Sequence, residues 1–337
     1  MKTVRMLGGE RVELIDLPIP EPSGPLVVVK IMASTICGSE MHGYRAPQAH
    51  DNNGGHEAVG VVWKTDSARY VKEGDRVSLF AQSSCGRCVH CLAGNWVLCE
   101  SPAPARFPGN HSQYVLLDER HCLPLPEDIS FETGTLLGDA LGTPLRAIKR
   151  LRLNALDTVL ITGLGPVGLG ATLLARFFNA TVIAVDPIAF RRFKAKELGA
   201  DHTFDPTRED AAAAVKEITG GLGVDVAMDC SGNTDAEVLC LEVVRRGGRY
   251  AFVGENGADI PVKPSRHFIR RDLEAIGTWY FSPSEHLDMI KLFRRGLAAE
   301  RLITHRFGID QAQEAFTTFA NGEAVKVVLL PWKGARR

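Results

Sequence analysis

Residues 157–186 read DTVLITGLGPVGLGATLLARFFNATVIAVD, and this stretch decides the fold. The apolar run VLIT has the character of a strand buried on both faces. It meets Gly163-Leu164-Gly165-Pro166-Val167-Gly168, a GxGxxG motif that opens the helical segment VGLGATLLARFF. A second apolar strand, TVIAV, follows and ends on Asp186. Strand, glycine turn, helix and acidic strand end are the context in which this motif binds a dinucleotide. Gly163 makes the tight turn, Gly165 lets the backbone approach a pyrophosphate, and Gly168 allows close helix–strand packing. The helix N-terminus faces the phosphate charge. Asp186 is placed to accept from the adenosine ribose hydroxyls, so NAD is favoured over NADP. Arg191, Arg192 and Lys194 follow closely and weaken that preference.

Outward from this unit, strands and helices keep alternating. AFRRFKAKELGA, REDAAAAVKEITGG and TDAEVLCLEVVRRG read as helices, and VDVAMDCSG, GRYAFVG and DLEAIGTW as strands. Such alternation predicts a doubly wound parallel sheet over residues 151–283. The tail, 284–337, carries two helices, SEHLDMIKLFRRG and IDQAQEAFTTFANG, and a last strand VKVVLLP placed to return to the first domain. Upstream, VRMLG, ERVELIDL, PLVVVKIMAS, HEAVGVVWKT, RVSLF and SQYVLL are short β-type segments broken by Gly and Pro. They predict a mostly antiparallel β domain with long loops. Residues 129–151 read as one helix, with Leu136, Leu137 and Leu141 near helical spacing. The expectation is an α/β chain: a β-rich domain over 1–150, a dinucleotide domain over 151–283, and a return over 284–337. A length of 337 residues agrees with two domains.

The composition is that of an ordinary globular chain, and a net charge of −1 gives no sign of a nucleic-acid partner or an acidic tail. No apolar run approaches the roughly 18–20 residues that span a bilayer. The N-terminus has no apolar signal core. The expected location is the cytoplasm, where thiols stay reduced and clustered cysteines favour metal over disulfide.

Cys85, Cys88, Cys91 and Cys99 are spaced C-x2-C-x2-C-x7-C within a lobe spanning 83–100. Four clustered thiolates fill a closed tetrahedral zinc site of the structural kind. The segment has few apolar anchors, so bound metal would supply its stability. Cys37, His56 and Glu57 lie well upstream and cannot share that shell. Thiolate and imidazole are donors that zinc accepts, and a catalytic site keeps one position open. A further ligand there should be a carboxylate or water. Cys122, Cys230 and Cys240 fit no metal spacing and read as packing thiols.

Taken together, these residues resemble a zinc-dependent medium-chain dehydrogenase of the alcohol/sorbitol type. The resemblance covers essentially the whole chain. It is carried by Ile36-Cys37-Gly38-Ser39-Glu40-Met41-His42, Gly55-His56-Glu57, the four-cysteine lobe and the glycine loop. Cys230-Ser231-Gly232, Phe252-Val253-Gly254 and Ile276-Gly277-Thr278-Trp279-Tyr280 add to it. It implies a GroES-like catalytic domain joined to a Rossmann domain, with two zinc ions per chain. Cys37 and His56 would ligate the catalytic zinc, with Glu57 as a ligand or close alternate. The remaining ligand position falls on Asp139, where the family has Cys or Glu, and Thr143 four residues on suits the position beside the nicotinamide. Ser39 would pass the substrate proton through the cofactor ribose to His42, and Glu40 would steady the metal site. Cys230, Val253, Gly254 and Thr278 would contact the cofactor.

The chain departs from the family between Cys37 and His56, where no proline-rich run precedes the GHE triplet and Arg45, His50 and Asp51 stand instead. The carboxylate at the fourth position resembles the polyol branch. Tyr44, Arg45, His111 and Trp279 are candidate polar groups of a pocket for several hydroxyls. The expected substrate is a secondary alcohol of a polyol, cyclitol or sugar. The rivals are a threonine-like amino alcohol, a simple secondary alcohol, a relative that has lost catalysis, and a zinc-ribbon binding module. The family also implies a homodimer or homotetramer.

Overall fold

The computed structural model describes residues 1–49, 53–101 and 109–333. The chain divides into two compact units, Met1–Asp139 with Ser282–Lys291 and Ala298–Arg337, and Ala140–Phe281 with Leu292–Leu297. The division falls at Asp139 rather than at 150. There the helix expected over 129–151 is interrupted: it forms as Phe131–Gly134, a 3-10 turn Thr135–Leu137, and the helix Asp139–Leu151. Gly138 between them has ψ −139°, off the helical path. A side chain at Gly138 would press to 3.1 Å on Glu57 Cγ and 3.2 Å on Thr135 O.

The first unit is built on a seven-stranded sheet. Its order is Ile303–Gly308, Lys326–Leu330, Leu26–Thr35, Glu57–Lys64, Arg76–Leu79 and Cys122–Pro124, with Tyr114–Asp118 also paired to Leu26–Thr35. All pairs are antiparallel except Ile303–Gly308 with Lys326–Leu330. The run LVVVKIMAST is rich in β-branched residues, which suit a central strand. It buries Val27, Val29 and Ile31 against Val62, Val77 and Val115. A second cluster packs Phe316 and Phe319 of the helix Ala312–Ala320 against Ile36, Met41 and Tyr44. That packing fixes the Cys37 turn and the short helix Glu40–Arg45 from below. The tail strand registers Val328 with Thr35 and Leu329 with Ser34. The strand Ile303–Gly308 beside it was not anticipated from its mixed polar sequence.

The second unit holds a six-stranded sheet in the order His202–Phe204, Thr181–Val185, Thr158–Thr162, Val224–Asp229, Val244–Phe252, Glu274–Gly277. Every pair is parallel. In sequence order this is 3-2-1-4-5-6, the doubly wound arrangement. Its core joins Leu160, Ile183, Val215, Leu241 and Tyr250. Among the described residues, no helix is long and apolar enough to cross a membrane.

Candidate metal centres and dinucleotide loop

The lobe brings the sulfurs of Cys85, Cys88, Cys91 and Cys99 within 4.8 Å of one another. Cys85 Sγ lies 3.9 Å from Cys91 Sγ, and Cys88 Sγ 4.0 Å from Cys99 Sγ. Four sulfurs about 2.3 Å from a tetrahedral zinc would stand about 3.8 Å apart, so the donor set fits the ion. Backbone amides do much of the holding. Cys85 N donates to Cys99 Sγ at 3.2 Å and Cys88 N to Cys85 Sγ at 3.3 Å. Amides of Arg87 and Cys88 lower the Cys85 thiol to about 6, whereas burial pushes Cys91 up to about 12. Arg120, clamped by Asp118 at 2.9 and 2.8 Å, sets its guanidinium beside Gly86 and near the Cys85 and Cys91 sulfurs. His90 stands outside the four-sulfur set and pairs with Glu100 at 3.4 Å.

The second cluster gathers Cys37, His56 and Asp139 from three segments, with one donor atom of each inside a 4.8 Å group. Asp139 Oδ2 is 3.2 Å from Cys37 Sγ and 3.9 Å from His56 Nε2. Edges of about 3.4–3.6 Å follow from ordinary zinc–sulfur, zinc–nitrogen and zinc–oxygen lengths, so sulfur, imidazole and carboxylate fit a zinc with one position open. Asp139 reaches the cluster because the break at Gly138 sets it at the very start of its helix. Burial, then the Asp139 charge, raises the Cys37 thiol. Burial alone would lower His56, but Cys37, Asp139 and Glu40 hold it well above its usual value. The surroundings of His56 therefore favour positive charge at this point.

Glu57 lies outside this donor group. Its buried carboxylate accepts from Lys326 Nζ and from Thr35 Oγ1 at 3.0 Å. Consecutive residues entering a strand point to opposite sides, so His56 and Glu57 cannot both face the cluster. Lys326 is fully buried and also donates to Ile36 O at 3.2 Å, next to Cys37. Burial works against its charge, but Glu57 and then Cys37 raise its pKa. The sequence offered no local sign of this partner, which lies 269 residues from Glu57.

Glu40 does face the cluster: its Oε1 lies 3.5 Å from His56 Nδ1 and accepts from Cys37 N at 3.3 Å. Ser39 precedes the helix Glu40–Arg45 and His42 lies within it, and both are exposed. The expected polar pocket groups go elsewhere. Tyr44 is buried with its hydroxyl 3.2 Å from Thr317 Oγ1, and Arg45 donates to Glu10 and Ala320 O. His111 is fully buried, while Trp279 is exposed. His50 and Asp51 lie outside the described residues.

In the second unit the glycine loop takes the expected form. Gly163 has φ +78°, and a Cβ on Gly168 would meet Gly163 O at 1.9 Å. A Cβ on Gly165 would meet nothing within 4 Å, leaving room for a ligand at the N-terminus of the helix Pro166–Phe177. Pro166 sits in the first turn, where no amide is lost, and Val167 follows it. Asp186 is buried: Oδ2 accepts from Leu164 N and Oδ1 from Ile188 N, each at 2.7 Å, with Arg191 3.6 Å from Oδ2. Each carboxylate oxygen has a second lone pair for a ribose hydroxyl. Asp229 ties down the loops on the same side of the sheet. Its carboxylate accepts from Ser231 and Gly232, and its carbonyl from Val253 N and Gly254 N, each at 2.9 Å. Cys230 N bonds Thr162 O at 2.8 Å. Thr278 Oγ1 is buried with no hydrogen-bond partner among the described residues. Thr143 is buried one turn along the helix from Asp139. The glycine loop, Asp186, Cys230, Val253, Gly254 and Thr278 fit a nicotinamide dinucleotide, lying as they do at the carboxyl ends of the strands.

Known proteins agree with this construction. The family model for the alcohol dehydrogenase GroES-like domain matches residues 24–127, and that for zinc-binding dehydrogenases matches 166–295. The chain is 34% identical to an uncharacterised zinc-type alcohol dehydrogenase-like protein, YphC, of Escherichia coli K12, over 96% of each chain. It is 31% identical to L-threonine 3-dehydrogenase of a Marinomonas species, over 98% of this chain and 99% of the other. It is 30% identical to sorbitol dehydrogenase of Bacillus subtilis, over 98% and 97%. The structure of alcohol dehydrogenase TADH from Thermus sp. ATN1 superimposes with a TM-score of 0.90 at 26% identity, over 98% and 99%. The chain belongs to the zinc-dependent alcohol dehydrogenases of the medium-chain type, a family of oxidoreductases.

Proposed function

We propose that this chain oxidises a secondary alcohol of a polyol, cyclitol or sugar to the ketone, with NAD as hydride acceptor. The observation that carries the reading is the donor group of Cys37, His56 and Asp139. Bound there, zinc would act as a Lewis acid that polarises and acidifies the substrate hydroxyl. The nicotinamide would take the carbon-bound hydrogen as hydride. The chain's own residues do the rest. Cys37, His56 and Asp139 would hold the metal and leave a position for the hydroxyl. Ser39 takes the hydroxyl proton, and exposed His42 passes it to solvent. Gly54 O accepts from His56 Nδ1 and the Glu40 carboxylate lies 3.5 Å from it, so that Nε2 would face the metal. The glycine loop and Asp186 bind the dinucleotide, and the negative charge of Asp186 disfavours a 2′-phosphate.

A carboxylate in the third protein position supports the polyol branch over simple alcohols, as does the likeness to sorbitol dehydrogenase. The likeness to L-threonine 3-dehydrogenase supports an amino alcohol as the second reading. A screen of NAD reduction across polyols, cyclitols, sugars and L-threonine separates them. Cytoplasmic location suits the reduced thiols, and a homodimer or homotetramer suits the family. The direct test of the reading is Cys37→Ser. It should lower zinc from two per chain to one and cut kcat/KM by about 10³-fold or more, equivalent to several kcal/mol of transition-state stabilisation. Full activity with one zinc fewer would sink it.

A further inference from the structure

Behind Glu40 stands a residue to which neither the motif nor the mechanism gives a task. His111 lies just before the strand Tyr114–Asp118 and is fully buried. Its Nε2 is 2.8 Å from Glu40 Oε2, and its Nδ1 is 2.9 Å from Ser34 Oγ. A carboxylate only accepts, so Nε2 carries the proton, and the Ser34 hydroxyl donates to Nδ1. The other oxygen of Glu40, Oε1, accepts from Cys37 N at 3.3 Å and faces His56 Nδ1 at 3.5 Å. His56 Nδ1 also lies 3.2 Å from Gly54 O, an acceptor, so Nδ1 is the protonated nitrogen and Nε2 is left for a metal. The hydrogen bonds thus run in one direction, from Ser34 through His111 to Glu40, whose Oε1 accepts from Cys37 N and sets its charge 3.5 Å from His56 Nδ1.

A second observation shows that the backbone is shaped around this ring. A Cβ on Gly55 would come within 2.8 Å of His111 N and 2.9 Å of two ring carbons. The glycine before His56 is therefore what admits His111. On its other side the ring meets Phe316 edge-on at 5.7 Å, and Asn53 Oδ1 accepts from His111 N and Gly55 N.

We propose that His111 is a positioning residue for the catalytic metal: by donating to Glu40 it fixes the carboxylate that accepts from Cys37 N and sets its charge beside His56 Nδ1, keeping both ligands in place. The inference rests on the zinc site proposed above. Loss of His111 leaves Glu40 Oε2 buried without its donor, so the carboxylate can turn away from Cys37 N and His56. Partners of this kind typically change metal affinity 10–100-fold.

The test follows zinc release from the holoenzyme into a chelator, with the cobalt-substituted absorption spectrum as a readout of ligand geometry. His111→Phe keeps the ring volume and removes both hydrogen bonds. It should weaken retention of the catalytic zinc about 10–100-fold, alter the cobalt bands and leave the lobe zinc unchanged. His111→Gln, which puts an amide N–H near the Nε2 position, should recover most of the retention. Wild-type release and spectrum in His111→Phe overturn the proposal. So does equal loss in both variants, which would mean that the ring packs rather than donates. If His111→Phe does not fold, Ser34→Ala decides, since it should speed release to a lesser degree, and unchanged release overturns the idea. A wild-type chain that holds only the lobe zinc would instead overturn the parent reading.

Discussion

In the lobe, four sulfurs come from fifteen consecutive residues and are held largely by backbone amides. At the second cluster, the donors come from segments up to 102 residues apart. Side chains surround them: Glu40 accepts from Cys37 N and faces His56, His111 and Ser34 stand behind Glu40, and Lys326 pairs with Glu57 just outside the cluster. The amide-held set has little apolar core of its own, for Val89, Leu92 and Leu98 are exposed on it. Its stability is coupled to the metal. The long-range set presupposes a finished sheet and core. Damage to the lobe should register first as lost stability, and damage to the second cluster as lost chemistry.

Three perturbations test that division, beyond those already named. The largest effect on stability should come from Cys88→Ser. It should remove the lobe zinc and lower Tm by about 10 °C or more, from a loss on the order of several kcal/mol. Unchanged melting with abolished turnover would break the division. Lys326→Met should come next, leaving Glu57 buried without its cation at about 3–5 kcal/mol in urea unfolding. A cost below about 1 kcal/mol would mean that Glu57 finds another partner. The smallest effect concerns the thiols once zinc is stripped. At pH 7 the amide-lowered Cys85, near 6, is mostly thiolate, whereas burial keeps Cys37 protonated. Iodoacetamide should label Cys85 first, as read by peptide mass spectrometry, and the reverse order would contradict the electrostatics of both clusters.

The same division explains what could be read from the sequence. The lobe and the glycine loop were legible because their functional atoms are close in the chain, and spacing alone brings them together. Asp139 was reached through the family resemblance, with Thr143 four residues on supporting the register, although the break at Gly138 that aims it was not foreseen. Glu57 was read as a ligand or its alternate because its partner, Lys326, enters from the last strand, and no local period signals a contact across 269 residues. His111 was taken for a pocket group. Only the fold shows it turned inward onto Glu40, where its two ring nitrogens serve opposite ends of one hydrogen-bonded chain. The strand Ile303–Gly308 alternates too weakly to stand out, being held by the neighbouring strand Lys326–Leu330.

The reach of Lys326 back to Glu57 and Ile36 also sets an order of events during synthesis. The lobe ligands leave the ribosome together and can capture zinc while most of the chain is still unmade. The Cys37 turn must wait for the final strand before its buried lysine is in place. At about 5–20 residues per second, the stretch from Cys99 to Lys326 takes about 10–45 s to translate. One ligand set is thus complete early on the nascent chain, whereas the buried lysine beside the other arrives only with the strand Lys326–Leu330.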